Sequence, residues 1–260
     1  MLTAYDYSLA VLVAKAGIPV VLVGDSLGQV MLGHASTLPV TLEDILHHAR
    51  AVVRGAPGCL VVADMPFGSY QISIPEAVSN AVRLVKESGA QAVKLEGGAD
   101  MAPVIAAITR ADVAVMAHIG LTPQAVHQLG GYRTQATDLA GRKRLLADAR
   151  AVAAAGAFAV VIEKVPDTAA AAVTRALSIP TIGIGAGPNC DGQVLVAHDL
   201  LGLFLDYTPP FVKRYARLGE TAIQAMAGFA SDVASGKFPA PEVPRRAGRR
   251  VRARRRSSAT

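Results

Sequence analysis

"VVLVGDS" (residues 20–26) is a run of four aliphatic residues that reaches a carboxylate after a single glycine. A short, unbroken aliphatic run bounded by glycine reads as a strand buried on both faces, because a half-exposed strand would alternate apolar and polar residues. Asp25 conflicts with burial unless the strand ends at a place where a charge is used. The same ending recurs in "VVADMP" (61–66), "AVKLEG" (92–97) and "VVIEKV" (160–165), so whatever explains Asp25 must explain the whole chain.

Working outward, three longer segments share one order of parts. "SLAVLVAKAGIPVVLVGD" (8–25), "EAVSNAVRLVKESGAQAVKLE" (76–96) and "LADARAVAAAGAFAVVIE" (146–163) each read helix, glycine, apolar strand, acid. Gly17, Gly89 and Gly156 stand where a helix ends in a left-handed residue. The acid follows eight residues later at Asp25 and seven later at Glu96 and Glu163, the length of a short loop plus one strand. Further strands are expected at 59–65, 113–119 and 179–185, with 2–6 and 192–199 as the first and last. Helices are expected at 41–54 behind Thr41, at 75–88 with Pro75 in the first turn, and at 138–155, 167–177 and 219–235. About eight strand–helix units in 260 residues predict an α/β fold of the (β/α)8 TIM-barrel kind. An open doubly wound sheet is the alternative. It is disfavoured because chemically useful residues close at least five different strands instead of gathering at one switch point.

Composition sets the outer limits. A hydrophobic content of 52% with 18% charged residues supports a large buried core. No apolar run approaches the ~18 residues of a membrane span. "MLTAYDYSLA" (1–10) has no basic segment leading into an apolar stretch, so no export signal is expected. Cys59 and Cys190 lack metal-site spacing and read as reduced thiols. The net charge of +6 is misleading, because residues 245–260 hold eight arginines and no acid; removing those eight charges leaves −2. The domain is therefore expected to span 1–240 and to be followed by a disordered Arg-rich tail, 241–260, able to make weak contacts with polyanions.

In a barrel the C-terminal strand ends converge on one mouth. The residues there are Asp25, Ser26, Asp64, Lys94, Glu96, His118, Glu163 and the glycine-rich "GIGAGP" (183–188). Lys94 and Glu96 are two apart and face the same side of their strand, with Leu95 on the other. Several acids without thiols form a hard oxygen donor set that suits Mg²⁺. Taken singly, Asp25 or Asp64 could be a helix cap, Glu163 a surface acid beside Lys164, and His118 a core histidine. Four acids and a histidine closing separate strands are better explained by one site. His47 and His48 lie mid-helix, and His34, His127 and His198 have no acid or thiol at ligand spacing. There is no nucleophile elbow and no Walker loop.

With these residues in view, a resemblance becomes specific. "LTAYDYS", "LVGDSLG", "GHASTLPVT", "VVADMPFGSY", "AVKLEGG", "HIGLTPQ", "LGGY" and "IPTIGIGAGPNCDGQVLV" together resemble the 3-methyl-2-oxobutanoate (ketopantoate) hydroxymethyltransferase family, over Leu2 to about Pro239. The resemblance implies a barrel of the phosphoenolpyruvate/pyruvate type, a cytoplasmic location and a homo-oligomer, commonly a decamer. It also implies Mg²⁺, with 5,10-methylenetetrahydrofolate as co-substrate and a 2-oxoacid as substrate. Carried over by position, it makes Asp25 and Asp64 metal ligands, Glu96 the third acid of the metal site, and Glu163 the catalytic base. Ser26, with Asp25, Asp64 and Lys94, would bind the 2-oxoacid, and His118 would contact it. Two features depart from the family pattern: the chain begins inside the usual first strand, as though shortened at its N-terminus, and the Arg-rich tail is additional.

Overall fold

The computed structural model describes residues 1–240. Two compact units are distinguished, residues 1–217 and a second that begins at residue 218. The first contains one parallel sheet whose eight strands follow chain order. They are β1 (Leu2–Thr3), β2 (Val20–Val23), β3 (Leu60–Asp64), β4 (Ala92–Glu96), β5 (Ala114–Gly120), β6 (Ala159–Glu163), β7 (Thr181–Ile184) and β8 (Gly192–Gln193). A parallel bridge joins Leu2 to Leu195, and Thr3 N–H donates to Leu195 O at 3.2 Å, bringing the end of the sheet back onto its start. The helices of this unit are α1 (Tyr7–Lys15), α2 (Leu27–Val30), α3 (Leu42–Gly55), α4 (Ile74–Ser88), α5 (Ala102–Arg110), α6 (Leu139–Ala154), α7 (Asp167–Ala176) and α8 (Ala197–Leu201). The second unit contributes α9 (Leu218–Ala234). The Arg-rich tail lies outside the described residues.

The helix boundaries follow from capping chemistry. Thr41 and Asp44 form a reciprocal capping box on α3, and Ser73 accepts from Glu76 N–H ahead of Pro75 in α4. Asp6 Oδ1 accepts Leu9 N–H at 2.8 Å, starting α1 and ending the first strand earlier than the expected residue 6. The expected last strand, 192–199, is likewise cut short. Val194 N–H still reaches Gly183 O, but Ala197 N–H is taken by Thr3 Oγ1 at 3.0 Å and the chain coils into α8. The short α2, and α5 between β4 and β5, were not among the expected helices.

Alternation along the strands sorts side chains into two cores. Val93, Leu95, Val115, Ala117, Val160 and Ile162 point outward into the large core shared with the helices. Leu22, Val62, Ala92, Met116, Ala159, Val161 and Val194 point inward and fill the barrel as a smaller apolar cluster. Continuing the inward series toward the C-terminal ends gives Asp64, Lys94, Glu96, His118 and Glu163. The register pairs Asp64 with Lys94, Glu96 with His118, and Gly120 with Glu163. The charged layer is therefore the top of the barrel interior, resting directly on an apolar plug.

Gly120 shows how tightly this top layer is built. Its φ is +90°, and a Cβ there would lie 2.4 Å from Glu163 O. Gly120→Ala is expected to cost about 2 kcal/mol or more, through the left-handed backbone and the clash together. It should also displace Glu163. Denaturant unfolding and turnover measured side by side check both expectations, and an alanine variant with unchanged midpoint and rate would contradict them.

Candidate active site

All seven residues singled out from the strand ends line one cavity of about 590 Å³: Asp25, Ser26, Asp64, Lys94, Glu96, His118 and Glu163. Of the glycine-rich stretch 183–188, Ile184 lines it too. Asp25, Asp64, Lys94, Glu96 and His118 are all buried. Such a set must neutralise itself internally, since isolated buried charges are prohibitively costly.

Lys94 is the centre of that neutralisation. Its Nζ lies 2.6 Å from Asp64 Oδ1 and 3.3 Å from His118 Nδ1. The contact with Asp64 Oδ1 is a charge pair and not an aligned hydrogen bond, so that oxygen has no hydrogen-bond donor. Burial alone would lower the lysine's pKa, but Asp64, Glu96 and Asp25 outweigh it and hold the ammonium above its ordinary range. His118 Nε2 stands 2.8 Å from Leu121 O, an acceptor, so Nε2 carries the proton and Nδ1 accepts from Lys94. The same Nε2 lies 3.3 Å from Glu163 Oε2.

A second hub was missed by the sequence reading. Gln124, in the short turn after β5, is buried among the strand ends. Its Nε2 donates to Asp25 Oδ2 at 2.8 Å and to Met65 O at 3.1 Å. Its backbone N–H donates to Glu96 Oε2 at 2.9 Å. Its Oε1 accepts from Tyr70 Oη at 2.7 Å and from Gln71 Nε2 at 3.2 Å. Every polar atom of the amide is satisfied, and three strand ends are tied to one residue. Tyr5 is a third unanticipated member; its Oη shares a 2.8 Å hydrogen bond with Ser26 Oγ. The signal for all three lay inside "HIGLTPQ", "VVADMPFGSY" and "LTAYDYS", as neutral polar residues that charge-led reading passes over. Among the histidines set aside, His34 lines the cavity, His48 Nδ1 meets Tyr5 O at 2.5 Å, and His198 packs its ring against Tyr5.

Gly24 separates β2 from Asp25, and its role is close approach. A Cβ there would meet Ser26 Oγ at 3.0 Å and Asp64 Oδ2 at 3.3 Å. Without it, Asp25 N–H reaches Asp64 Oδ2 at 2.9 Å. Asp25 and Asp64 thus stand beside each other in a dry setting. Burial first, then repulsion from Asp64, raises the Asp25 carboxyl to about 7, against the pull of Lys94 and Gln124. Burial and repulsion from Asp25 push Glu96 well above its usual range as well.

This donor set bears on a metal. Among the described residues no group of three or more His, Cys, Asp or Glu side chains is gathered closely enough to hold an ion by itself. Two adjacent carboxylates, an Asp64 oxygen without a donor and an excess of negative charge fit a divalent cation that takes its remaining ligands from water and substrate. That is a common mode for Mg²⁺.

The fold and site together define a (β/α)8 barrel with an acidic candidate active site at its strand ends. Solved structures of the same fold include a phosphonopyruvate hydrolase in complex with oxalate and Mg²⁺ (16% identity, TM-score 0.60, covering 93% of this chain and 86% of that one). Another is 2,3-dimethylmalate lyase, of the PEP mutase/isocitrate lyase superfamily (18% identity, TM-score 0.59, covering 94% and 84%). Within this class, residues 1–241 match the model of the ketopantoate hydroxymethyltransferase family, and the chain belongs to that family. Among its relatives, 3-methyl-2-oxobutanoate hydroxymethyltransferase of Moorella thermoacetica is 55% identical over 242 residues, covering 93% of this chain and 90% of that one. The protein of the same name from Geotalea daltonii is 57% identical over 239 residues, covering 92% and 90%.

The raised Asp25 carboxyl predicts a pH dependence of stability. Asp25 titrates at an ordinary value of 3.8 when unfolded and about 7 in the metal-free fold. Between these values the native state holds more protons than the unfolded one, so metal-free stability falls as pH rises through this window. Asp25→Asn should flatten that fall. Thermal unfolding in EDTA from pH 4 to pH 8 checks this, and an equally steep fall in the variant would refute it.

Proposed function

We infer that this enzyme transfers a hydroxymethyl group to 3-methyl-2-oxobutanoate, giving 2-dehydropantoate for pantothenate synthesis, with 5,10-methylenetetrahydrofolate as donor. The family assignment supports the reaction, and one structural contrast supports the division of labour among the carboxylates. Asp25, Asp64 and Glu96 each accept a hydrogen bond from Gln124 or a neighbouring backbone N–H. Among the described residues Glu163 faces the cavity with only the long His118 contact upon its carboxylate, and its side chain is 15% exposed against 2–3% for Asp64 and Glu96. It is the acid free to meet a substrate carbon.

Asp25 and Asp64 would hold Mg²⁺, with Glu96 as the third acid of the site. Bound there, it would supply Lewis-acid stabilisation of the negative charge that develops on the 2-oxoacid. Lys94 has three N–H donors, of which one serves His118; its ammonium pairs in charge with Asp64 and keeps a donor for the substrate carboxylate. Ser26, held by Tyr5, donates beside it. His118 contacts the substrate and steadies Glu163 with its Nε2–H. Glu163 takes the proton from C3; the electron pair left there forms the new C–C bond to the donor's one-carbon unit. The two C–N bonds holding that unit to the folate break, each electron pair staying on its nitrogen; water provides the hydroxyl oxygen, and the two nitrogens take up one proton from water and the one held by Glu163.

The reading also includes a cytoplasmic enzyme acting as a homo-oligomer, with a decamer as the assembly. Among the described residues no helix is long and apolar enough to cross a membrane. In α9, Ile223, Met226, Phe229 and Val233 recur at helical spacing, an apolar stripe suited to helix packing.

Deuterium exchange at C3 of 3-methyl-2-oxobutanoate isolates the first step. Exchange without folate is expected in the unsubstituted protein, lost in EDTA and restored by Mg²⁺. Product should form only when methylenetetrahydrofolate is added. Glu163→Gln is expected to slow exchange by about 10²-fold or more, the usual scale of general-base loss. Exchange persisting at the parent rate in that variant would remove Glu163 from the role of base.

A further inference from the structure

The site described so far occupies the strand ends β2 to β6. The cavity extends beyond it, along a wall made by α8 and the segment that follows, where Asp199, Phe204, Tyr207 and Phe211 face the same space. At about 590 Å³ it falls in the range that holds drug-sized ligands, more room than a five-carbon acid needs.

Asp199 is the anomaly in this wall. The residue is 6% exposed, and among the described residues its carboxylate makes no hydrogen bond or ion pair; Arg214 acts on it only at a distance. Buried carboxylates are ordinarily satisfied, so one left open in a cavity wall points to a ligand that supplies donors. Burial pushes its carboxyl up to about 6, against the opposing influence of Arg214.

The aromatic wall is built with equal care. Gly185, in "GIGAGP", has a φ of +59°, and a Cβ there would lie 2.9 Å from Phe211 Cδ1. The glycine lets the Phe211 ring seat itself against β7's end, which gives the glycine-rich stretch a purpose apart from phosphate binding. Flat rings offered beside an unpaired carboxylate suit a flat heterocycle with adjacent N–H donors along one edge.

We propose that Asp199, with the Phe204–Tyr207–Phe211 wall, seats the pteridine ring of the one-carbon donor, its carboxylate accepting from the 2-amino group and the adjacent ring N–H. This rests on the proposed function and assigns its second substrate to residues. Of the two substrates, the 2-oxoacid is excluded from this wall: it carries no N–H donor, and its anion would be repelled by Asp199. The wall adjoins the chemistry through Tyr5, which feels the charge of both Asp199 and Asp25 and bonds Ser26.

Asp199→Asn and Phe211→Ala test the assignment, with tetrahydrofolate as the binding probe and both substrates varied in steady state. Asp199→Asn is expected to weaken tetrahydrofolate binding and raise the KM for methylenetetrahydrofolate about 10-fold or more, the cost of losing a charge-assisted pair. Phe211→Ala is expected to do the same by about 5-fold or more, through lost stacking. The KM for 3-methyl-2-oxobutanoate should move less than about two-fold in either, a split that a purely structural role in α8 would not give. Unchanged tetrahydrofolate affinity in both variants overturns the proposal, as does a matched rise in the KM of both substrates. Absence of C3 exchange in the unsubstituted protein would instead overturn the proposed function, and tetrahydrofolate binding still decides the case of Asp199.

Discussion

Lys94 places an ammonium inside a buried layer of carboxylates, and the upper half of the barrel depends on that charge. Its position follows from strand alternation: Ala92, Lys94 and Glu96 face inward, and Lys94 sits one step above the apolar plug. Here a lysine cannot snorkel to water, so it must find its partners within the layer. Asp64 at 2.6 Å and His118 at 3.3 Å are those partners, one on each flanking strand. Removing either side of such a pair leaves an uncompensated buried charge, a cost of about 3–5 kcal/mol. The ion pair therefore fixes the relation of β3, β4 and β5 while it prepares the site.

A single positive charge does not balance the layer. Asp25 and Glu96 are both pushed upward by burial and by their acidic neighbours, so the metal-free site holds its carboxylates under electrostatic stress. Gln124 moderates this by donating from its side chain to Asp25 and from its backbone to Glu96. An amide can do this without adding charge, which leaves the excess available to a divalent cation. A lysine or arginine in its place would have neutralised the site from within.

The barrel was legible because its cause is local. Helix caps, the glycines ending helices and the apolar runs that follow are all set within a few residues of sequence, and the structure keeps Thr41, Pro75, Gly17, Gly89 and Gly156 in those roles. The charged strand ends were legible too, because an acid after an aliphatic run is conspicuous. Gln124, Tyr70 and Tyr5 were not, since their importance comes from hydrogen bonds spanning 99, 54 and 21 residues, and no local pattern marks a neutral side chain as a hub. The end of the chain's last strand misled for a related reason. "GQVLVAHD" has strand-like content, but a hydroxyl at the other end of the barrel, Thr3 Oγ1, captures Ala197 N–H and starts α8. That capture also gives Asp199 its place on the cavity wall, so the element hardest to read from sequence carries a buried acid that stands apart from the strand-end cluster.

The carboxylates of the site share one chemistry and differ in restraint. Asp64 receives a backbone N–H and an ammonium; Asp25 receives an amide; Glu96 receives a backbone N–H. Each such contact stabilises the charged form and fixes the direction of its lone pairs, which suits a ligand and disqualifies a base that must approach carbon. Glu163 ends β6 two residues beyond the partner of His118, where that histidine reaches it at 3.3 Å and the cavity lies open before it. An imidazole N–H shared with Leu121 O restrains that carboxylate only loosely, which is the ground for proposing it as the base. The proposed division between metal-holding and proton-taking acids thus rests on where each strand stops and which donors it meets there.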